Sequence, residues 1–266
     1  DGGQIEDSAV IAYRLARLIN CPVVATGEED YVSDGTRVFA VPHGHPIMTA
    51  VTGTGCLLGA VLAAFFSAYY PCKNRLSIGE FLAYALAYYG LAGESAVQVS
   101  GVKPGSFSVA FMDALYSLDD AVLMSENRIR PIVVPDQLQV YFISGTQDVE
   151  LNEHRLLSIV EDACRGGVTC FQFREKGAGT LAGQQKLELA QQLKQICAKY
   201  NVLYIINDDV DLAVAVNADG VHVGQEDMSL EAVRNLVGHK VVGISIHSVE
   251  ELHKTDIIYA DCVGIG

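Results

Sequence analysis

The second half of the chain alternates short apolar runs with longer amphipathic segments. The apolar runs predict strands at Leu138–Ile143, Val168–Phe173, Val202–Ile206, Val221–Val223 and Val241–Ile246, with a last run at Cys262. The segments between them predict helices at Glu150–Arg165, Leu181–Tyr200, Val210–Val216, Leu230–Leu236 and Val249–Lys254. This alternation is typical of a parallel α/β sheet, and we expect an incomplete (β/α)8 TIM barrel with about six strands.

The first half of the chain has a different pattern. Long segments rich in Ala, Leu and Tyr predict helices at Ser8–Ile19, Gly55–Tyr70, Ile78–Gln98 and Ser106–Leu118. Strand-like pieces at Val23–Thr26, Tyr31–Ser33 and Thr36–Val41 lie between the first two helices, and the Asp34-Gly35 pair predicts a hairpin turn. The pattern indicates an α/β fragment over residues 1–130, a linker over residues 131–136 and the barrel-like part over residues 137–266.

Polar residues stand at or just after the ends of the predicted strands in the second half. They are Gln172, Arg174 and Lys176, then Asn207 and Asp208, then Gln225 and Asp227, and finally Ser245 and His247. The carboxyl ends of parallel strands meet at one rim of a barrel, so we expect these side chains to lie close together. A set of cations, carboxylates, a hydroxyl and an imidazole predicts a phosphate-and-metal site.

The charges in this set point to a particular ligand pair. Gln172, Arg174 and Lys176 alternate along the chain, share one face and suit a polyanion. Asp208 and Asp227 would repel that polyanion, and Mg²⁺ between them removes the conflict. For any single residue, a solvated strand end or a helix cap is the alternative interpretation. The set as a whole favours the site.

Composition limits the partners. Half of the 266 residues are hydrophobic, the formal net charge is −14 and the isoelectric point is near 4.8. This charge argues against nucleic acid or an anionic membrane as the main partner. The longest apolar run, Cys56–Tyr70, is shorter than the ~20 residues that span a bilayer. Seven cysteines without a Cys-x-x-Cys pair favour a reducing, cytoplasmic setting.

The second-half motifs resemble the thiamine-phosphate synthase family, over about residues 137–266. They are Gln172-Phe-Arg-Glu-Lys176, Asn207-Asp208, Gly220-Val-His-Val-Gly-Gln-Glu-Asp227 and Gly243-Ile-Ser245. In that family a (β/α)8 barrel joins hydroxymethylpyrimidine diphosphate to hydroxyethylthiazole phosphate and releases diphosphate. The resemblance implies that the pyrimidine diphosphate is bound by Gln172, Phe173, Arg174, Glu175, Lys176, Asn207 and Ser245. It also implies that Asp208 and Asp227 bind Mg²⁺.

The resemblance further implies how the reaction proceeds. If the diphosphate leaves before the thiazole nitrogen attacks, Arg174, Lys176 and the metal stabilise the leaving group, and no protein nucleophile is needed. The family's next motifs, a Pro-Ile-Phe-x-Thr type loop and a Thr-x-Thr-Lys segment, would begin directly after Gly266. We therefore expect the chain to be a fragment at this end, and the opening Asp1-Gly-Gly-Gln suggests the same at the other.

A glycine-rich segment, Val51-Thr-Gly-Thr-Gly-Cys56, precedes the long apolar helix of the first half. Its two glycines would let backbone N–H groups converge on an anion at the positive end of the helix. Cys56 would lie in the first turn, where the helix dipole favours a thiolate. The alternative is helix capping by Thr52 or Thr54 with a structural cysteine. The motif alone leaves both open.

Neighbouring motifs resemble hydroxyethylthiazole kinase, a member of the ribokinase-like α/β fold. They are Val24-Ala-Thr-Gly-Glu28, Tyr31-Val-Ser-Asp-Gly35 and Gly44-His-Pro-Ile-Met48, within residues 1 to about 125, and correspond to roughly the C-terminal half of the family domain. The resemblance implies that Cys56 is the base for the hydroxyethyl group, that Gly53 contacts the thiazole and that Thr26 contacts ATP. His43 and His45 lack a third ligand nearby and are interpreted as turn residues.

Together the two resemblances imply a bifunctional enzyme of thiamine biosynthesis, because the kinase product is an acceptor substrate of the synthase. Its expected ligands are Mg²⁺, ATP and the small-molecule substrates, and kinase relatives that assemble as trimers imply a homo-oligomer. Two other classes stay open. One is a barrel that binds thiazole phosphate as a regulator or isomerase; the other is a first half that serves as an oligomerisation scaffold.

Overall fold

The computed structural model describes residues 5–72, 75–238 and 240–266. The chain divides into two compact units, Asp1–Arg130 and Pro131–Gly266, here called the first and second units. The helices and strands of the first unit are α1 (Ile5–Ile19), β1 (Val23–Ala25), β2 (Asp30–Ser33), β3 (Val38–Val41), α2 (Thr54–Ala68), α3 (Ile78–Ser100), α4 (Pro104–Ser117) and α5 (Asp120–Glu126). A short strand, β4 (Arg130–Ile132), lies at the division.

The second unit alternates strands and helices as expected. Its elements are β5 (Tyr141–Ser144), α6 (Glu153–Arg165), β6 (Cys170–Phe173), α7 (Gly183–Lys199), β7 (Leu203–Asn207), α8 (Val210–Ala215), β8 (Gly220–Val223), α9 (Leu230–Val237), β9 (Val241–Ile246), α10 (Val249–Lys254) and β10 (Cys262–Ile265). Within the described residues, no helix of either unit has both the length and the apolarity of a membrane span.

The first unit is built on an antiparallel sheet and the long helix α3. Strand β2 pairs antiparallel with β1 on one side and with β3 on the other. The expected hairpin turn is confirmed: Asp34 Oδ1 accepts the Thr36 and Arg37 N–H groups at 3.0 and 2.8 Å, and Gly35 has a φ of 86°. Asp34 Oδ2 also accepts the Gly79 N–H at 3.2 Å, which joins the turn to the start of α3.

The six strands of the second unit form one parallel sheet with the order β10–β9–β8–β7–β6–β5. Alternate side chains on each strand point to opposite faces. One face packs against helices and forms the main core, with Phe171, Phe173, Tyr204, Ile206, Val221, Val223, Val242 and Ile244. The opposite face carries a smaller cluster of Cys170, Leu203, Ile205 and Val241. This second face is where polar residues can meet a ligand.

Two predicted boundaries in the second unit were wrong. Leu138 was expected to begin a strand, but it ends a 3₁₀ turn, Pro135–Leu138, in which Gln137 Oε1 accepts the Val134 N–H at 2.8 Å. Glu150 was expected to begin α6, but its φ of 59° is left-handed. The helix begins at Glu153 instead, because Asn152 caps it by accepting the Arg155 N–H at 3.0 Å.

Two other helices also differ from expectation. Helix α7 begins at Gly183 rather than at Leu181, because the Leu181 N–H donates to Glu175 Oε1 at 2.9 Å and Ala182 is extended. Helix α5 was not predicted, although Asp119 is a standard N-cap that accepts the Ala121 N–H at 2.8 Å. Short helices with a single capping residue carry little periodic signal, which explains the omission.

Candidate functional site

A cavity of about 420 Å³ opens on the sheet face of the second unit that the helices leave uncovered. Its polar lining residues are Tyr141, Gln172, Arg174, Asn207, His222, Ser245 and His247. Five of these, Gln172, Arg174, Asn207, Ser245 and His247, belong to the polar set from which the sequence predicted a phosphate-and-metal site. The structure therefore brings together side chains from β6, β7 and β9 that lie up to 73 positions apart in the sequence.

The floor of this cavity is a hydrogen-bonded chain that crosses three strands. The Tyr141 hydroxyl donates to Gln172 Oε1 at 3.0 Å, and Gln172 Nε2 donates to Asn207 Oδ1 at 2.6 Å. Burial raises the pKa of Tyr141 far above its ordinary value, so its hydroxyl stays protonated and remains a donor. The amide of Gln172 is thus held in one orientation. A group held this way is pre-organised for a polar ligand.

A cation and two carboxylates lie on the loops that follow β6, β7 and β8, outside the cavity lining. Lys176 Nζ lies 2.8 Å from Asp208 Oδ2. The hydrogen bond and charge of Asp208 raise the pKa of Lys176, and the charge of Asp227 adds to this. Asp227 Oδ2 also accepts the Gly224 N–H at 2.7 Å. Both carboxylates therefore act on one cationic group.

These two carboxylates fit Mg²⁺ by the chemistry of their donors. Across residues 5–72, 75–238 and 240–266, no group of three or more potential ligand side chains is present. Mg²⁺ in nucleotide and diphosphate sites needs only one or two carboxylates, since waters and phosphate oxygens complete its coordination. Asp208, and to a smaller extent Asp227, raise the pKa of Lys176, as expected of two carboxylates near one cation. Asp208 and Asp227 are the residues that would hold the ion.

Two predicted ligand-binding residues have their side chains elsewhere. Phe173 is 1% exposed and belongs to the helix-covered core, because it alternates with Gln172 and Arg174 along the strand. Glu175 accepts the Thr146 and Leu181 N–H groups, each at 2.9 Å, and also bonds the Thr146 hydroxyl. Phe173 therefore supports the strand from its outer face, and Glu175 holds two loops together.

His222 and Gln225 have roles that the sequence did not reveal. His222 Nε2 lies 2.8 Å from Ser245 Oγ, and burial lowers the pKa of this imidazole. Gln225 Nε2 donates to the Ser245 carbonyl oxygen at 2.8 Å. Ser245 is thus held at its side chain and at its backbone. The available signal for His222 was its place between Val221 and Val223, which puts it on the same face as the cavity.

The first unit has its own cavity, of about 780 Å³. Thr26, Asp30, Thr54 and Gly55 are among its lining residues, together with residues of the 43–49 loop and of α3. Burial raises the pKa of Asp30 to about 6, although the hydrogen bond from the Gly27 N–H acts in the opposite direction. The predicted ATP contact, Thr26, therefore shares a cavity with the N-terminus of α2.

The glycine-rich segment has the helix-terminal geometry that the sequence predicted. Gly53 is the N-cap of α2 with a φ of 98° and no side-chain cap, and Cys56 lies exposed in the first turn. The capping alternative is wrong for Thr54, whose hydroxyl donates to the Met48 and Val51 carbonyl oxygens at 2.7 and 3.1 Å. Gly53 and Cys56 lie beside the cavity lining rather than within it.

His43 is more than a turn residue. Its side chain is fully buried, with Nδ1 3.2 Å from Glu94 Oε1, and Nε2 accepts the Arg128 N–H at 2.9 Å. Burial lowers the pKa of His43 against the opposing effect of Glu94. Glu94 also accepts the Gly44 N–H at 3.0 Å, so α3 holds the loop that lines the cavity. His45 does act in a turn, where its Nδ1 accepts the Ile47 N–H at 3.2 Å.

Comparison with known proteins assigns the two halves separately. Residues 1–121 match the model of the hydroxyethylthiazole kinase family, and residues 140–266 match the model of thiamine monophosphate synthase. Thiamine-phosphate synthase 1 of Streptococcus pneumoniae is 50% identical over 129 residues, which are 48% of this chain and 61% of that protein.

A relative with both halves also exists. The thiamine biosynthesis bifunctional protein ThiM/ThiE of Symbiobacterium thermophilum is 35% identical over 262 residues, which are 96% of this chain and 51% of that protein. Among solved structures, thiamine phosphate pyrophosphorylase from Pyrococcus furiosus is 31% identical with a TM-score of 0.43, over 49% of this chain and 61% of that one.

The chain spans between 51% and 61% of the length of the relatives named here. The order of the two matched regions agrees with that of the bifunctional relative, which aligns with nearly the whole chain. The chain therefore joins a region that matches the hydroxyethylthiazole kinase family to a region that matches the thiamine monophosphate synthase family.

Proposed function

We propose that this protein takes part in two consecutive transfers of thiamine biosynthesis. The first unit phosphorylates hydroxyethylthiazole with ATP, and the second unit condenses the product with hydroxymethylpyrimidine diphosphate to give thiamine phosphate and diphosphate. The observation that carries this proposal is the second-unit cavity, where Gln172, Arg174, Asn207 and Ser245 meet beside the Asp208 and Asp227 carboxylates. A ribokinase-like first unit and a (β/α)8 second unit are the folds we propose for the complete domains.

In the second unit, the side chains act by binding and by charge. Gln172 and Asn207, fixed through Tyr141, orient the pyrimidine ring at the floor of the cavity. Arg174 and Lys176 bind the diphosphate and stabilise the negative charge that grows on it as its bond to the pyrimidine methylene breaks. Asp208 and Asp227 would hold Mg²⁺, which would supply further positive charge at this leaving group. The thiazole nitrogen then attacks the methylene carbon, and no protein nucleophile is required.

In the first unit, the N-terminus of α2 binds the phosphoryl group as it passes from ATP to the hydroxyethyl oxygen. Backbone N–H groups of the first turn, which follows the N-cap Gly53, would donate to this anion, and the positive end of the helix would favour it. Cys56, in the first turn, takes the proton of the hydroxyethyl group, Gly53 contacts the thiazole and Thr26 contacts ATP. The network of His43, Glu94 and Arg128 holds the neighbouring loop in place.

An assay of the protein with ATP, hydroxyethylthiazole and hydroxymethylpyrimidine diphosphate tests both transfers. Thiamine phosphate and diphosphate are the expected products. Accumulation of thiazole phosphate without thiamine phosphate would contradict the synthase half of the proposal.

Cys56→Ala is expected to lower kinase turnover while leaving synthase turnover on added thiazole phosphate unaffected. Undiminished kinase turnover would remove Cys56 from the role of base.

Calorimetry separates the synthase from a regulator or isomerase that binds thiazole phosphate alone. A synthase site binds the pyrimidine diphosphate in a Mg²⁺-dependent manner, whereas a regulator of that type binds neither the pyrimidine diphosphate nor Mg²⁺.

Nucleotide binding that survives substitution of Thr26 and Gly53 would favour a scaffold role for the first unit.

The setting and assembly follow from the same proposal. The cysteines with described side chains are free and suit the reducing cytoplasm; they are Cys21, Cys56, Cys164, Cys170, Cys197 and Cys262. We assign the kinase domain to residues up to 130, a linker to residues 131–136 and the synthase domain to residues from 137 onward. The kinase domain is also the part we propose for homo-oligomerisation, which size-exclusion chromatography with light scattering tests directly.

A further inference from the structure

His222 lies in the second-unit cavity with one ring nitrogen bonded and the other buried. Nε2 is 2.8 Å from Ser245 Oγ. Nδ1 is shielded from solvent and has no hydrogen-bond partner among the described residues. Because a neutral imidazole carries one proton, its position decides whether Ser245 Oγ receives a hydrogen bond or donates one.

The glycines around the ring decide between the two tautomers. A Cβ at Gly243 would lie 2.4 Å from His222 Nδ1, so the glycine hydrogen that occupies this direction points at that nitrogen. A proton on Nδ1 would collide with it, whereas a lone pair on Nδ1 accepts it as a weak C–H contact. A Cβ at Gly264 would lie 3.2 Å from Cε1, so a second glycine closes the slot around the ring.

We propose that His222 is a positioning residue whose Nε2–H donates to Ser245 Oγ, so that the Ser245 hydroxyl hydrogen remains available to a phosphoryl oxygen in the cavity. A serine hydroxyl has one hydrogen and two lone pairs. When Oγ accepts from His222, its only hydrogen is directed to the ligand. This inference rests on the proposed function for the identity of the ligand, but not for the tautomer.

The surroundings of Ser245 support a donor role. Gln225 Nε2 holds the Ser245 carbonyl oxygen at 2.8 Å, and Gln225 Oε1 in turn accepts the Thr255 hydroxyl at 3.1 Å. Arg174, in the lining of the same cavity, contributes positive charge. Phosphoryl oxygens only accept hydrogen bonds, so a serine that is forced to donate suits them.

Nuclear magnetic resonance of the ring nitrogens in the ¹⁵N-labelled protein tests the tautomer without any ligand. We expect the signals of a protonated Nε2 and an unprotonated Nδ1 for His222, identified by their loss in His222→Gln. A protonated Nδ1 would overturn the proposal, because Ser245 would then donate to the ring.

A pair of substitutions tests the consequence for binding of inorganic diphosphate with Mg²⁺ by calorimetry. His222→Gln places an amide donor near the position of Nε2, whereas His222→Asn places its polar atoms near Nδ1 and loses the bond to Ser245. We expect His222→Asn to bind about tenfold more weakly, or about 1.4 kcal/mol. His222→Gln is expected to stay within about threefold of the wild type, because it keeps a donor for Ser245.

Combining His222→Asn with Ser245→Ala shows whether His222 acts by positioning Ser245 or whether its substitution disturbs the structure in general. In the Ser245→Ala background, His222→Asn is expected to cause no further loss of affinity, since the group it positions is gone. Losses that multiply in the double variant would overturn the proposal, as would a His222→Asn protein that binds like the wild type. Thermal unfolding of each variant shows whether it is folded.

The binding measurements distinguish failure of the proposed function from failure of the positioning role of His222. A wild-type protein that binds neither inorganic diphosphate nor the pyrimidine diphosphate would contradict the synthase proposal and the ligand assigned to Ser245. A wild-type protein that binds them while His222→Asn binds equally well would contradict only the positioning role.

Discussion

At the scale of single residues, the side-chain direction along β6 decides what each member of the Gln172–Lys176 motif does. Gln172 and Arg174 line the cavity, Phe173 packs under the helices and Glu175 ties two loops together. The Gln172–Lys176 motif, predicted as one binding segment, therefore contains residues that line the cavity, a residue that packs in the core and a residue that joins loops. Substitutions should be interpreted by the contact each side chain makes rather than by membership of the motif.

Asp208 offers a clean substitution at the proposed metal site. Its φ of 60° is left-handed, a conformation that Asn tolerates as well as Asp. We expect Asp208→Asn to weaken Mg²⁺-dependent diphosphate binding by about tenfold or more, because a metal carboxylate is lost without added backbone strain. Calorimetry at a series of Mg²⁺ concentrations measures this. Asp211→Asn removes the same charge from the first turn of α8 and is the matched control; equal losses in both variants would contradict the assignment.

Asp30 gives a prediction for the dependence of stability on pH. Its pKa is about 6 in the folded protein against 3.8 for an ordinary Asp, so folding favours the protonated form. The contribution of Asp30 to stability is therefore full below about pH 4 and is lost as the pH rises to about 6. The loss is at most about 3 kcal/mol, since one pKa unit is worth about 1.36 kcal/mol.

We expect the stability advantage of Asp30→Asn over the wild type to grow between pH 4 and pH 6 and to level off above it. Urea denaturation at a series of pH values measures this difference. Asp113→Asn, at an exposed position on α4, is the control and should show a smaller pH dependence. An Asp30→Asn advantage that is constant with pH would show that Asp30 does not titrate in this range.

At the scale of secondary-structure elements, glycines decide how closely helices approach their neighbours. Helix α3 crosses the His43–Gly44 segment at Gly90, where a Cβ would lie 2.5 Å from His43 Cβ and 2.7 Å from its carbonyl carbon. Helix α2 contains Gly59, where a Cβ would meet nothing within 4 Å. Gly90 is therefore required for the close approach of α3 to the His43–Gly44 segment, whereas Gly59 has room for a side chain.

Alanine substitutions at these two positions should change stability in opposite directions. Gly90→Ala is expected to lower the free energy of unfolding by about 1–3 kcal/mol, because the added methyl group overlaps the His43 backbone. Gly59→Ala is expected to raise it by about 0.5–1 kcal/mol through its helix propensity. Chemical denaturation measures both. A stabilising Gly90→Ala would mean that the loop held by Glu94 moves freely.

At the scale of the whole molecule, each of the two units carries a candidate ligand cavity that is lined by its own residues. The net charge of −14 gives the protein no general affinity for anions. The anion binding that we propose must therefore be local, at Arg174 and Lys176 in the second unit and at the N-terminus of α2 in the first.

Ligand binding should stabilise the units selectively. Diphosphate with Mg²⁺ at about 100 times its dissociation constant is expected to stabilise the second unit by about 2.7 kcal/mol, because it binds only the folded site. Hydrogen–deuterium exchange with mass spectrometry locates the effect. Increased protection is expected within residues 131–266, and ATP serves as the reciprocal control for residues 5–130. Protection gained in the first unit on adding diphosphate would contradict separate sites.

The pattern of apolar residues was enough to predict the strands and helices of the second unit. Buried parallel strands carry short continuous apolar runs, and β6 through β9 lie within one or two residues of the expected positions. Predictions were less accurate where one side chain controls a boundary, as at Asn152 and Gln137. The capping bond of Asn152 fixes the residue at which α6 begins. The periodic pattern extends over many residues, so it predicts the helix but not its first residue.

In the candidate site too, some features were predictable from the sequence and others depend on the tertiary structure. The sequence by itself determined that Gln172, Arg174, Asn207 and Ser245 would gather at one end of a sheet, because strand polarity and alternation are local properties of the chain. Only the tertiary structure decided that Tyr141 orients Gln172, that His222 contacts Ser245 and that Glu94 holds His43. These pairs are 23 to 51 residues apart, and packing, rather than any local preference of the chain, brings them together.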